Sequence, residues 1–339
     1  MRSALLPRLR CPRCHAEGSL VAAATVVEGG EIREGTVTCE ACGELRSLTS
    51  GIVDLVPVEV PGFVTAEAAG LDRFVDTMHA YGWTRDDILE LPNRADGYWF
   101  CQATAMQQTL ATIAFEPGQS ILDVGSNTCW ASAMLAERGL DVTALDINAN
   151  EMQGLRTADW WFEAKHVYFE RVLGVMFDLP FADGVFDYVW CCEVLHHNHR
   201  SNLHRTMREL KRVLKPGGRV IVVNETCRSL RDPKFRPGHE VAQYEGYEHA
   251  FLPRTYARAA RSAGLQVRLV YPWTVSLFAP GTWELTPNTR VRQAAWWAVA
   301  HAFRRVPSLR RAALFYKHYF DGRAAFYMLA TKPELGAEP

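Results

Sequence analysis

The chain has 339 residues, 48% apolar and 22% charged, enough for a large core plus a smaller unit. Its 37 Lys and Arg nearly balance 38 Asp and Glu, and a formal net charge of −1 weighs against nucleic acid as the bulk partner. The opening MRSALLPRLR lacks signal-peptide form and no run of about twenty apolar residues exists to span a bilayer, so a cytoplasmic protein is expected.

Nine cysteines without a secretory signal point to thiols and metal rather than disulfides. Cys11 and Cys14 form one C-x-x-C knuckle, and Cys39 and Cys42 form a second. Each knuckle offers two thiolates from one tight turn, and two of them close a tetrahedral S4 site. The stretch between them reads as two short strands, SLVAAATVVE and REGTVTC. A ribbon of about fifty residues buries too little core to fold alone, so a structural zinc is expected to hold it. Residues 1–57 are assigned to this ribbon, and PVEVPG at 57–62 reads as a linker. Residues 58–115 read as linker and helices; Tyr81, Trp83, Tyr98 and Trp99 are candidates for a substrate pocket or for core packing.

Residues 121–226 then carry a sequence of blocks: ILDVG, ALDIN, FDLPFADGVFDYVWCCEVLHH and LKPGGRVIVVNE. Each is a short apolar run ending in an acidic or small polar residue, with helix-like sequence between. That rhythm reads as parallel strands alternating with helices, with functional groups at the carboxyl ends of the strands, where an open parallel sheet holds its ligand.

The order and spacing of these blocks resemble the class I S-adenosylmethionine (SAM)-dependent methyltransferases of the small-molecule, methyltransferase type 11-like kind, over roughly residues 100–275. The resemblance implies an α/β, Rossmann-like seven-stranded methyltransferase sheet over 116–333, behind the small N-terminal zinc ribbon. GIVDLVP, just after the second knuckle, resembles the tail of zinc ribbons that precede methyltransferase domains. Gly125 lets the backbone approach a ligand, and Asp146 can accept both hydroxyls of a ribose. By resemblance Asp178 ends the third strand and accepts from the adenine amine, with Phe177 and Leu179 around the ring. Asp123, Asn127 and Ile147 are also cofactor candidates, and Cys192 and Glu193 would line the methionine side. The family's glycine loop is degenerate here, with Asn127 and Cys129 at the second and third glycine positions. Asn tolerates positive φ; Cys129 is read as a small buried residue rather than a nucleophile.

Methyl transfer to a hydroxyl requires placement of the acceptor and removal of its proton. His197 is the first candidate base and His196 the second, with Asn224, Glu225 and His249 nearby in the reading; an enzyme relying on proximity alone remains an alternative. After LQVRLVYPW the two last strands should form an antiparallel pair, interrupted by an insertion at 274–323. Between 285 and 320 it carries Arg290, Arg292, Arg304, Arg305, Arg310, Arg311 and Lys317, no acid, and interleaved aromatics including Trp296, Trp297, Phe303, Phe315, Tyr316 and Tyr319. Either it is a lid helix, the favoured reading of the residues, or it contacts a membrane interface or an anionic, lipid-linked substrate. The expected activity is SAM-dependent methylation of a small-molecule or lipid-linked metabolite, most readily at oxygen. The alternatives are an rRNA or tRNA base methyltransferase, suggested by the ribbon, and a SAM-binding protein without transfer activity, suggested by the degenerate loop. The sequence carries no signal of oligomeric state.

Overall fold

The four-cysteine ribbon does not end where its cysteines end. β1 (Leu20–Glu28) and β2 (Glu31–Cys39) form an antiparallel hairpin, β3 (Leu45–Thr49) adds to β2, and β4 (Ile52–Asp54) adds to β3. β4 then pairs in parallel with β7 (Glu170–Leu173), Val53 opposite Val172. Hence one sheet of eleven strands runs through the molecule in the order β1-β2-β3-β4-β7-β6-β5-β8-β9-β11-β10. In this computed structural model the described residues are 1–94, 97–225, 251–270, 298–299, 301–316, 326–334 and 336. Of the sequence candidates, His249, Arg290, Arg292, Trp296, Trp297, Lys317, Tyr319 and the side chain of Tyr98 lie outside the described residues.

The seven strands after the ribbon follow the expected architecture. β5 (Ser120–Val124), β6 (Asp141–Asp146), β7, β8 (Phe186–Cys192) and β9 (Leu214–Glu225) are mutually parallel, whereas β11 (Phe326–Thr331) runs antiparallel to β9 and to β10 (Gln266–Val270). Their side chains alternate between two apolar layers, as the period of two in a strand requires. Leu122, Val124, Val189, Cys191, Val220 and Val222 enter one core, which also holds Leu5, Leu9, Val37 and Leu48 of the ribbon. Ile121, Tyr188, Trp190, Ile221 and Val223 enter the other. Because the first core is shared, the ribbon and the domain beyond it bury one apolar volume.

Helices cover both faces. α1 (Gly62–Ala80), α2 (Arg85–Leu89) and α3 (Gly97–Thr112) precede β5; α4 (Trp130–Ala136) and α5 (Ala158–Lys165) flank β6. α6 (Leu203–Val213) presents Leu203, Met207 and Leu210 to the first core, the spacing of one helical face, and each such buried side chain contributes about 1.5–3 kcal/mol. α7 (Pro253–Ser262) starts with proline at its first turn and gives way to Gly264 at φ +82°, the left-handed residue that commonly follows a helix. α8 (Pro307–Tyr316) lies between β10 and β11. Among the described residues, no helix is long and apolar enough to cross a membrane.

Polar clamps also join the ribbon to the rest. Arg10 bonds Asp178 Oδ1 at 3.0 Å and Glu209 Oε2 at 3.1 Å, and Glu209 in turn takes Arg212 at 2.7 Å and the Leu179 N–H at 2.9 Å. Farther along, the fully buried Arg171 donates to Glu31 Oε1 at 2.6 Å and to Asp159 Oδ1 at 2.9 Å, and Arg33 grips Asp159 with two nitrogens.

Candidate active site

The carboxyl ends of β5, β6, β8 and β9 converge on one edge of the sheet, and the backbone there is unusual. Gly125 sits at φ +70°, and a Cβ on it would meet Val194 Cγ2 at 2.2 Å, so both the conformation and the neighbour exclude a side chain. Asn127, Cys129, Glu193 and Asn224 are also left-handed, at φ 45°, 57°, 48° and 54°. A non-glycine residue costs roughly 1–2 kcal/mol there, and such outliers gather at functional sites. The Asn224 side-chain amide donates to Glu193 Oε1 at 3.3 Å, which links the ends of β8 and β9. Asn127 thus has the backbone expected of its position. Cys129 is fully buried, its thiol pushed up to about 12 chiefly by that burial, which suits a packing residue and not a nucleophile.

Two carboxylates face this loop from adjacent strands. Asp123, 2% exposed, accepts from Ser132 Oγ at 2.6 Å. Burial, opposed by Ser132 and reinforced by the charge of Asp146, raises it to about 7. Asp146 accepts from the N–H groups of Asn127 and Asn148 at 2.8 and 3.0 Å. Burial raises it to about 6 despite those donors and the nearby His197. Beside it, Asn127 Oδ1 is buried with no hydrogen-bond partner. Two desolvated acids with no Lys or Arg among their partners and an orphaned acceptor beside a glycine turn form a cradle short of positive charge and of further donors. A ligand with a ribose and a cationic end supplies both, so the residues present fit SAM.

Three sequence-predicted roles change. Asp178 does not end the third strand: β7 stops at Leu173, and the intervening chain turns Asp178 towards the ribbon. Its carboxylate is held by Arg10 at 3.0 Å and Arg205 at 2.8 Å, with His15 Nε2 at 3.5 Å. Leu179 follows it into that clamp, its carbonyl taken by Arg10 and Arg212 and its side chain fully buried. Neither is free for an adenine ring. What lies against Ile147 instead is an apolar cluster of Val175, Phe177 and Val64, so Phe177 and Ile147 keep a place beside the cradle and Val175 joins them. His196 is the third correction. Glu225, fully buried, accepts from the N–H groups of Val194, Leu195 and His196 and from His196 Nδ1 at 2.7 Å. That carboxylate ties down the turn over Leu195–His197 and takes Nδ1 of His196, whose side chain is 7% exposed against 21% for His197, so burial rather than the pairing sets the two apart.

His197, next on the same turn, points elsewhere: its Nδ1 lies 2.6 Å from Glu67 Oε1 on α1. Glu67 is 5% exposed and was not foreseen; its partner is 130 residues away along the chain, and no local pattern marks it. The same helix spans the site. Asp72 accepts from the side-chain amides of Asn148 and Asn150, both at 3.2 Å, and Phe63 stacks on His199 with centroids 5.4 Å apart. Of the aromatic candidates, Trp99 meets Trp130 edge-on at 6.2 Å, whereas Tyr81 is exposed. Trp83 lines, with Met152 and Trp160, a cavity of about 580 Å³ between α1 and the loop after β6, outside the cradle.

At the other end of the sheet the sulfurs of Cys11, Cys14, Cys39 and Cys42 all lie within 4.8 Å of one another, with Cys11–Cys42 and Cys14–Cys39 both at 3.7 Å. Four sulfurs at about 2.3 Å from one zinc are about 3.8 Å apart, so the donor set fits that ion. Burial raises Cys39, but the Ser19 hydroxyl and the N–H groups of Cys42 and Ala41 outweigh it and lower the thiol to about 6, whereas burial pushes Cys11 up to about 12.

Residues 122–222 match the family model described as "Methyltransferase domain". The malonyl-[acyl-carrier protein] O-methyltransferase of Serratia marcescens is 34% identical over 149 residues, 43% of this chain and 53% of the relative. The demethylmenaquinone methyltransferase of Corynebacterium efficiens is 33% identical over 116 residues, 34% of this chain and 46% of the relative. The chain thus spans about half the length of these curated relatives. A solved complex of the Haloferax volcanii Trm112 methyltransferase activator with a putative methyltransferase is similar over 76% of this chain and 100% of that one, at 20% identity and a TM-score of 0.48. The strand order, the glycine turn and the match to the methyltransferase domain model agree over the same residues, 122–222.

Proposed function

We propose that the chain transfers a methyl group from SAM to a small molecule, at an oxygen. The observation that carries this is the pair of buried carboxylates, Asp123 and Asp146, raised by desolvation at the ends of adjacent strands around Gly125 and the unsatisfied Asn127 Oδ1. An unpaired buried acid is costly, and a cationic ligand removes that cost. When bound, SAM supplies a methyl group activated by a sulfonium. Asp146 binds the ribose hydroxyls, and Gly125 and Asn127 shape the backbone beneath them. Asp123 offers its negative charge to the cationic end, and Glu193, at the end of β8, lines the same side. Ile147, Val175 and Phe177 give the base ring an apolar wall.

His197 takes the acceptor's proton. Glu67 acts as its positioning residue: a carboxylate at Nδ1 fixes the tautomer, leaves Nε2 as the base and stabilises the imidazolium that forms. Zinc, held by the four cysteines, serves structure, because four thiolates leave no open coordination position. The Serratia relative's name describes an O-methylation, in keeping with the oxygen acceptor chosen here. The test is transfer of labelled methyl from SAM across a panel of carboxylate, phenol and enol acceptors, repeated with His197→Gln. Turnover on at least one oxygen acceptor that falls steeply in the variant supports the reading. Turnover only on RNA, or binding of SAM with no acceptor turned over, overturns it.

A further inference from the structure

The segment between β10 and β11 is rooted at the active edge of the sheet. β10 is antiparallel to β11 and β11 is antiparallel to β9, so β10 runs parallel to β9. Val270 therefore ends β10 at the same edge where β9 ends in Asn224 and Glu225, and β11 re-enters there with Phe326 opposite Glu225. Both roots of residues 271–325 lie on the edge that carries Gly125, Asp146 and Glu193.

The described part of that segment has the composition of an interfacial element. Phe303 is buried, whereas α8 buries none of its side chains; the tryptophans of the lid reading, Trp296 and Trp297, lie outside the described residues. Val306 is 44% exposed, Leu309 48%, Phe315 51% and Tyr316 49%. The Arg310 N–H bonds the Val306 carbonyl, so the helical turn begins at Val306, and Val306, Leu309, Ala313 and Tyr316 recur at steps of three and four along one face. Five of the twelve large apolar side chains exposed among the described residues fall within 299–316, a cluster rather than the usual scatter. Interspersed are Arg304, Arg305, Arg310 and Arg311, with no acid between 285 and 320, although the whole chain is slightly acidic.

We propose that residues 301–316 form a docking surface for an anionic lipid bilayer, which brings the carboxyl edge of the sheet to the membrane. Apolar side chains enter the headgroup region while arginines pair with lipid phosphates, the usual arrangement of an interfacial helix. A polyanion alone would not explain the exposed apolar stripe, and a neutral apolar partner would not explain four arginines in a stretch of sequence that carries no acid. Resting on the methyl-transfer reading above, the surface also names the acceptor class: a molecule that resides in, or is anchored to, the membrane.

The test is sedimentation of the full chain with vesicles of phosphatidylcholine alone or mixed with phosphatidylglycerol. Binding is expected to the anionic vesicles only and to weaken as salt rises. Each surface cation contributes roughly fivefold to such binding, so the combined Arg304→Gln, Arg305→Gln, Arg310→Gln and Arg311→Gln variant should lose more than about a hundredfold. Leu309→Asp, which keeps every arginine, should also reduce it. SAM affinity, measured by calorimetry on the same proteins, should be unchanged. Equal binding to neutral vesicles, absence of vesicle binding, wild-type binding by both variants, or binding to an RNA oligonucleotide in preference to vesicles would each overturn the proposal. Vesicle binding without SAM binding would instead overturn the methyl-transfer reading and leave the surface standing.

Discussion

Protons and cofactor should compete for the Asp123–Asp146 pair. Asp123 lies near 7 when folded against 3.8 in the open chain, a gap worth on the order of 4 kcal/mol against the ionised form. A folded pKa raised above the unfolded one means that the native state holds more protons between those values. Stability of the unliganded protein therefore falls as pH rises through roughly 4 to 7. Binding a cation reverses the preference, since the ionised carboxylate is then the favoured form. SAM affinity should accordingly climb as pH rises from about 5.5, by up to about tenfold per unit, and level off above about 7. Binding near pH 6.5 should release protons. Calorimetry in two buffers of different ionisation enthalpy reads the released proton directly, and Asp123→Asn should abolish most of it while weakening affinity at alkaline pH. Affinity that is flat with pH, or proton uptake on binding, would refute the reasoning.

Purified protein should carry one zinc; because ribbon and domain share a core and the β4–β7 pairing, its chelation should lower the melting temperature of the whole chain rather than release a separate ribbon transition, which calorimetric scanning distinguishes. Gly125→Ala should cost at least about 1–2 kcal/mol in urea unfolding and weaken SAM binding, since the added methyl meets both a left-handed φ and Val194; wild-type behaviour would refute that packing. Glu67→Gln should slow methyl transfer, because His197 loses the carboxylate that orients its ring, with Glu67→Asp recovering part of the rate. Equal rates in Glu67→Gln and the parent would assign Glu67 to packing alone.

Features set by local chain geometry were legible in the sequence. A short apolar run ending in Asp-x-Gly marks a strand and turn, and Asp146 follows at the end of the next strand; both sit where the pattern implied. Two C-x-x-C knuckles fold into facing pairs because spacing alone brings their sulfurs together. Features set by distant partners were not. Asp178 carries the right residue type in the right block, but its fate was decided by Arg10, 168 residues away. His196 and His197 are equivalent by sequence, and one turn of backbone gives one to Glu225 and the other to Glu67. The continuity of ribbon and sheet rests on three residues of β4, too short and too ordinary to announce a parallel pairing across more than a hundred residues. Left-handed backbone at Glu193 and Asn224 is equally silent, for neither residue type demands it.

The most direct test of the central claim is a calorimetric titration of the chain with SAM beside its Asp146→Ala variant. The account predicts one SAM per chain, with affinity in the variant weakened by about 2–3 kcal/mol through loss of a charged hydrogen-bond acceptor. No binding by the parent chain, or equal binding by the variant, would contradict it.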